Sequence, residues 1–389
     1  MEREAGQLSM KILFLDQSGK PGGAELCLID IAKPYRDSCL VGLFADGSFK
    51  NLLEQEQIPV KVFATEPLQV RKDSTLMQSL GSVSSLIPLI TKATEIARDY
   101  DLIYANTQKA LVVGAIASFI ARRPLVYHLH DILSADHFSL TNRRIAVTLA
   151  NRFASVVIVN SKATQTAFIE AGGRANLTEV IYNGFDPDRY CPQESCRARI
   201  RQQLGLEERF IVGHFSRLSL WKGQHILLEA LTRCSKDVTA VFVGDALFGE
   251  QDYVEQLQRQ VTEFKLEGRV RFLGFRSDIV SLMGACDLVA HTSIAPEPFG
   301  RVIVEAMLCG RPVVAAAAGG ALELVEQGKT GWLVTPGDSV ELANIITTCY
   351  QNPETAAIAA NQAQLKASKH FHLSAINQQI AKCCIFCVE

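Results

Sequence analysis

The 389-residue chain is 48% hydrophobic and 21% charged, and its 39 basic side chains nearly balance 41 acidic ones, for a net charge of −2. That balance excludes bulk electrostatic attraction to nucleic acid or anionic lipid, and the composition excludes a disordered or fibrous chain. The length exceeds one comfortable hydrophobic core and points to two domains of about 150–200 residues.

Residues 1–10 are polar and lack the apolar segment of a signal peptide. The longest apolar candidate, 110–127, is interrupted by Arg122, Arg123 and Pro124, so it reads as a helix followed by a strand rather than a membrane span. The expectation is a cytoplasmic protein. The 11 cysteines are odd in number and scattered through apolar runs, which fits reduced, buried thiols. Cys384 and Cys387, beside Cys383, spell CxxC without a second pair, and read as one face of a buried helix rather than a metal or redox site.

In chain order, short apolar runs at 12–15, 40–44, 60–63, 102–104, 125–128, 156–159 and 179–181 predict strands. A second set follows at 210–215, 239–243, 270–273, 288–291, 312–315 and 332–334. Amphipathic stretches such as 76–98, 161–171, 222–234 and 253–264 predict helices between them. Continuous apolar strands alternating with helices imply parallel sheets covered on both faces. The alternation pauses at 183–206, where NGFDPDRYCPQES is rich in turn formers. The domain junction is placed there, giving domains 1–187 and 188–370, with a final helix over 371–389 that packs back on the first. The expected fold class is α/β: two Rossmann-like halves whose parallel sheets face each other across a cleft. Ligands in such sheets bind at the carboxyl ends of strands.

The loops after the strands carry the candidate chemistry. After 12–15 comes SGKPGGAE, which is neither GxGxxG nor GxxxxGK[ST]. Gly22 and Gly23 before a helix permit close backbone approach to a phosphate or sugar, and a flexible turn is the competing reading. Strand 125–128 runs into His128-Leu129-His130-Asp131, whose two imidazoles share strand parity. An HxH at a strand end also begins some hydrolytic metal sites, but His137, His214, His225 and His291 do not complete that program. Asp186-Pro187-Asp188 spells DxD, a metal-binding signature in another context, and reads here as a turn in the junction.

Strand 210–215 leads into Arg217 and Lys222, a fork and a point charge suited to a diphosphate, with two surface cations as the plain alternative. PEPFGRVIVEAMLCGRPVV then places Phe299-Gly300 at the amino end of a helix over 301–308 that Gly310 and Pro312 terminate. Free amides and the dipole at that end attract phosphate oxygens. Glu297 and Glu305 would repel a phosphate, so they suit vicinal hydroxyls, which donate two hydrogen bonds to one carboxylate. A nucleotide sugar carries hydroxyls on both sides of its diphosphate.

Arg217-x4-Lys222 and Glu297-x7-Glu305, together with VGDALFGEQDYVEQL, VRFLGFRSDIVSLM, ACDLVAHTS and GGALELVEQGKTGWLV in order, resemble the family-4 (GT4) retaining glycosyltransferases of the GT-B fold. The resemblance covers essentially the whole second half. It implies that Arg217 and Lys222 bind the donor diphosphate and stabilise the leaving group, and that Glu297 holds donor-sugar hydroxyls. Phe299, Gly300 and Arg301 would line the phosphate and sugar site, Glu305 would bind the ribose, and Arg276 would lie by the nucleobase. Gly244 and Asp245 sit at another strand end, with direct contact by Asp245 the weaker expectation. GGAE at 22–25 resembles the family's glycine-rich loop, and His130 its histidine near the donor sugar, with His128 beneath.

The implied activity is metal-independent, cofactor-free transfer of a sugar from a nucleotide-diphosphate donor to a hydroxyl on a saccharide or lipid-linked acceptor, with retention. The implied setting is polysaccharide, lipopolysaccharide or glycolipid synthesis, in the cytoplasm or peripherally on the inner membrane face, with no nucleic-acid partner. Two alternatives stay open: a catalytically silent nucleotide-sugar-binding subunit of an assembly complex, and a sugar-nucleotide epimerase. Donor base, sugar and acceptor are not legible.

Overall fold

A computed structural model of the chain describes residues 10–63, 76–135, 138–246 and 249–389, with 76–85 through their backbone alone. The polar start 1–9, His137 and the Leu247-Phe248 portion of the VGDALFGEQDYVEQL motif lie outside the described residues. The chain divides into two units, Met1–Gly184 with Leu373–Glu389, and Phe185–His372. The boundary thus falls ahead of the expected 187/188, and the return crossing follows His372 rather than residue 370. The cause is Phe185, whose N–H donates to the Phe371 carbonyl (2.8 Å) and whose ring stacks on Phe299 at 6.3 Å, fixing it to the second unit.

The first unit is built on seven parallel strands: β1 (Ile12–Asp16), β2 (Cys39–Leu43), β3 (Val60–Val62), β4 (Leu102–Ala105), β5 (Leu125–Leu129), β6 (Val156–Val159) and β7 (Thr178–Val180). Their order across the sheet is β3-β2-β1-β4-β5-β6-β7. β1, β4, β5 and β6 are buried along their whole length, which is why they read as unbroken apolar runs. The closing helix Leu373–Val388 belongs to this unit: Ile376, Ile380 and Cys384, four residues apart, enter the core beside Phe14 and Tyr104. Asn377 adds a hydrogen bond to the Asp30 carbonyl (2.9 Å). Cys383 and Cys387 pack against the same core, half-buried. Burying the two isoleucines alone contributes about 3–6 kcal/mol.

The second unit has six parallel strands: β8 (Phe210–Phe215), β9 (Val238–Val243), β10 (Val270–Phe272), β11 (Leu288–His291), β12 (Val313–Ala316) and β13 (Trp332–Val334), ordered β10-β9-β8-β11-β12-β13. In each sheet the strand order reverses once, between β1 and β4 and between β8 and β11. Loops leaving those strands diverge to opposite faces and leave a crevice at their carboxyl ends. In the junction, the Asp186 carboxylate accepts from the Asp188 N–H (3.2 Å) and caps the turn Pro187–Tyr190. Among the described residues no helix is long and apolar enough to cross a membrane.

Candidate functional site

The reversal point of the second unit brings together the loops after β8 and β11. Gly223 holds φ +70°, and a β-carbon there would fall 2.0 Å from the Thr292 carbonyl oxygen, so the two loops run in contact only because residue 223 is glycine. The Thr292 hydroxyl donates to the Gly223 carbonyl (2.8 Å), and the Ile294 N–H donates to the Trp221 carbonyl (2.8 Å).

That stitching sets Lys222 against Glu297. The ammonium donates to both carboxylate oxygens, at 2.9 and 2.8 Å, and each side chain is 14% exposed. The Ser293 hydroxyl donates to the same carboxylate (3.0 Å), and His291 Nε2 lies 3.3 Å away. Burial works to raise the Glu297 pKa, but the Lys222 charge and His291 outweigh it and hold the carboxyl well below its usual range. Lys222 Nζ also sits 4.0 Å from the centre of the Trp221 ring, and the Arg217 guanidinium 5.6 Å from it. Trp221 therefore gathers both cations on one platform.

A second support lies behind Glu297. Gly320 N–H donates to the Glu297 carbonyl (2.7 Å), and Gly319, at φ +61°, could not carry a β-carbon, which would lie 2.2 Å from that same oxygen. Gly300, at φ +96°, then turns the chain into the helix Arg301–Leu308. Phe299 anchors the turn, its ring stacked on Phe185 and edge-on to Phe371 at 5.8 Å. Inside the helix Glu305 lies 3.5 Å from Arg301 Nε, whose guanidinium covers the Phe185 ring at 4.6 Å. Burial raises the Glu305 pKa despite Arg301 and a hydrogen bond from Tyr190. One glutamate is thus held as an anion, and the other is penalised for being one.

The remaining predicted residues of this unit occupy other loops. Gly244, at φ +134°, packs its α-carbon against the Ser216 carbonyl, and the Asp245 carbonyl accepts from Leu218 N–H, bracing the Arg217 loop from beneath. The Asp245 side chain is exposed, with one oxygen accepting from the Ala246 N–H (2.8 Å). Arg276, exposed after β10, makes a two-pronged ion pair with Asp278 at 2.8 and 2.7 Å.

In the first unit the loops after β1, β4 and β5 converge. Gly22 precedes the helix Gly23–Ala32, and its N–H donates to the Glu25 carboxylate (2.8 Å). Burial raises Glu25 to about 8, helped by Asp16, which burial raises to about 6. Asn106 spends its amide hydrogens on Asp16 Oδ2 (2.7 Å) and the Ala24 carbonyl (3.2 Å). Its oxygen therefore faces His130, whose Nε2 must be the donor across 2.9 Å. His128 lies beneath His130, ring centres 3.8 Å apart, its pKa pressed well below the usual value by burial and by His130.

Sequence reasoning missed the supports: Trp221, His291, Ser293, Gly319, Gly320, Asp16 and Asn106. The Gly319-Gly320 doublet at a strand end was a legible signal; nothing in the sequence marks Asn106.

The family profile described as Glycosyl transferases group 1 matches residues 197–366, and that described as Glycosyltransferase Family 4 matches 21–189. The chain is 32% identical, over 74% of its length and 76% of the relative's, to a GDP-mannose-dependent alpha-(1-6)-phosphatidylinositol monomannoside mannosyltransferase of Mycolicibacterium smegmatis. It is 33% identical to an alpha-D-kanosaminyltransferase of Streptomyces kanamyceticus, covering 83% of this chain and 94% of that one. Among solved structures, Anabaena Alr3699/HepE in complex with UDP-glucose superposes with TM-score 0.90 at 67% identity, over 96% of this chain and 98% of that one.

Proposed function

Since the chain belongs to the group 1, family-4 glycosyltransferases of the GT-B fold, we propose that it moves glucose from UDP-glucose to a hydroxyl of a saccharide or lipid-linked acceptor, with retention and without a metal ion. The observation that carries this reading is the Lys222–Glu297 pair set beside Gly300 at the amino end of the Arg301–Leu308 helix. The UDP-glucose complex of the Anabaena protein supports the choice of donor.

The pair is closed on itself here, and a donor would open it. The diphosphate takes Lys222, with Arg217 and the helix amides, while Glu297 turns to the sugar hydroxyls. As the bond between the anomeric carbon and the diphosphate oxygen breaks, its electron pair passes to that oxygen, and the two cations and the helix end stabilise the growing charge. The acceptor oxygen bonds the anomeric carbon on the same face, and its proton goes to the departing phosphate. Glu305 is assigned the ribose hydroxyls and Arg276 the base. In the first unit, His130 is assigned the sugar and Gly22-Gly23 the backbone approach.

A peripheral contact with anionic lipid is part of the proposal. Phe119, Ile120, Leu140 and Ile145 are exposed on the adjoining helices Gln108–Ala121 and Leu140–Phe153, with Arg144 on the second and Arg122 just past the end of the first. The test is turnover of labelled UDP-glucose, with EDTA, against an acceptor panel, reading the product's anomeric configuration by NMR. An inverted product, or activity abolished by chelation, would overturn the mechanism. Sedimentation with anionic vesicles, compared with Phe119→Ser, tests the lipid contact.

A further inference from the structure

We propose that Cys27, His128 and His130 form a capture site for a soft divalent ion such as Zn2+ or Co2+, and that filling it takes His130 out of service. The thiol sulfur and one nitrogen of each imidazole all lie within 4.8 Å of one another. A tetrahedral zinc site holds sulfur at about 2.3 Å and nitrogen at about 2.0–2.1 Å from the ion, so side-chain shifts of about an ångström complete the geometry. Three protein ligands leave a fourth position for water.

Two further observations point to a ligand. His128 Nε2 is buried and has no hydrogen-bond partner among the described residues, while its Nδ1 lies 2.7 Å from the Tyr104 hydroxyl. With Nδ1–H donating to that hydroxyl, Nε2 presents a lone pair that nothing else satisfies, a costly arrangement that an ion would relieve. His130, for its part, donates Nε2–H to Asn106, which is itself held by Asp16. That is the outer hydrogen-bonding that fixes a histidine for ligation through its other nitrogen. Nδ1 of His130 and Nε2 of His128 are thus the nitrogens assigned to the ion.

Cys27, buried on the helix Gly23–Ala32, currently directs its thiol to Asn183 Oδ1 at 3.5 Å. On binding it gives up its proton to solvent and ligates as thiolate. His130 is the half-buried member, so the ion enters along its edge. One sulfur and two imidazoles favour Zn2+ or Co2+ over Mg2+, Ca2+ or Mn2+. The site is therefore not a cofactor site for the transfer but a brake on it. The brake rests on the role of His130 proposed above; the ion site does not.

Titration of the full chain with Co2+ should produce a thiolate-to-metal charge-transfer band and tetrahedral visible bands saturating at one ion per chain, and Zn2+ should abolish them. Cys27→Ala, and independently Cys27→Ser and His128→Gln should one of them fail to fold, should lose the charge-transfer band or weaken it at least tenfold in affinity. The Cys383→Ser/Cys387→Ser control should keep it. No such band in the wild type, or the same band in Cys27→Ala, overturns the site. In parallel, Zn2+ should inhibit UDP-glucose turnover by the wild type, and Cys27→Ala, active without metal, should need at least tenfold more. A Cys27-dependent band without inhibition would leave the ion site standing and overturn the brake, and with it the assignment of His130 to the transfer.

Discussion

Replacing Lys222 with alanine separates the structural and chemical roles of the same ion pair. At 2.8 Å, two unit charges attract by about 6 kcal/mol at an effective dielectric constant near 20. Most of that attraction offsets the desolvation of two side chains that are each 14% exposed. Breaking a buried pair from one side nevertheless leaves an uncompensated charge, costing about 3–5 kcal/mol. Ser293 and His291 still face Glu297, so Lys222→Ala should lose about 3 kcal/mol, the lower end of that range. In Lys222→Ala/Glu297→Gln no charge remains buried, and about 1–2 kcal/mol should return.

The pH dependence follows from the depressed pKa of Glu297. Its contribution is fully present above the carboxyl range of the unfolded chain and is lost as pH falls through that range and below. The stability gap between wild type and Lys222→Ala should therefore be widest near pH 7 and narrow below about pH 4.3. Urea midpoints at several pH values measure it. Turnover should behave differently: both variants lose one of the two leaving-group cations and should fall at least about ten- to a few hundred-fold, the double variant further because it also lacks the carboxylate assigned to the sugar hydroxyls. A double variant no more stable than the single one, or one that regains activity, would refute the reasoning.

Arg217→Ala, which removes the guanidinium beside Trp221, should cost turnover by a similar about ten- to a few hundred-fold factor; activity within twofold of wild type, on the order of 0.4 kcal/mol, rejects its assignment. Gly319→Ala should destabilise by about 1–3 kcal/mol and cut activity, because its β-carbon meets the Glu297 carbonyl oxygen; an unchanged melting temperature counts against that packing. Glu25 titrates near 8 when folded, against about 4.5 as a free side chain, so stability should decline as pH rises between those values. Glu25→Gln should flatten a slope of at most ~1.4 kcal/mol per pH unit, and a wild-type profile already flat from pH 5 to 8 removes the buried proton from the account.

The central strands were legible because β1, β4, β5 and β6, like β9, β11 and β12, are runs buried on both faces, a pattern that local sequence carries. β3, β7 and β10, each with a charged residue and partial burial, carry it more weakly. All thirteen predicted runs overlap observed strands, and the two sheets share the reversing order that puts β8 beside β11 and β1 beside β4. The Arg217–Lys222 and Glu297–Glu305 spacings were legible too, because loop and helix geometry tie such residues over short distances. What tertiary structure alone decided is which partner each charge has. That Lys222 meets Glu297, 75 positions away, depends on two loops from non-consecutive strands fitting together through Gly223 and Gly319. Likewise Asn106 joins Asp16 to His130, and Cys27 comes within reach of two imidazoles, only because parallel strands far apart in the chain lie side by side. Backbone hydrogen bonding fixes that register, and no short-range pattern in the sequence encodes it.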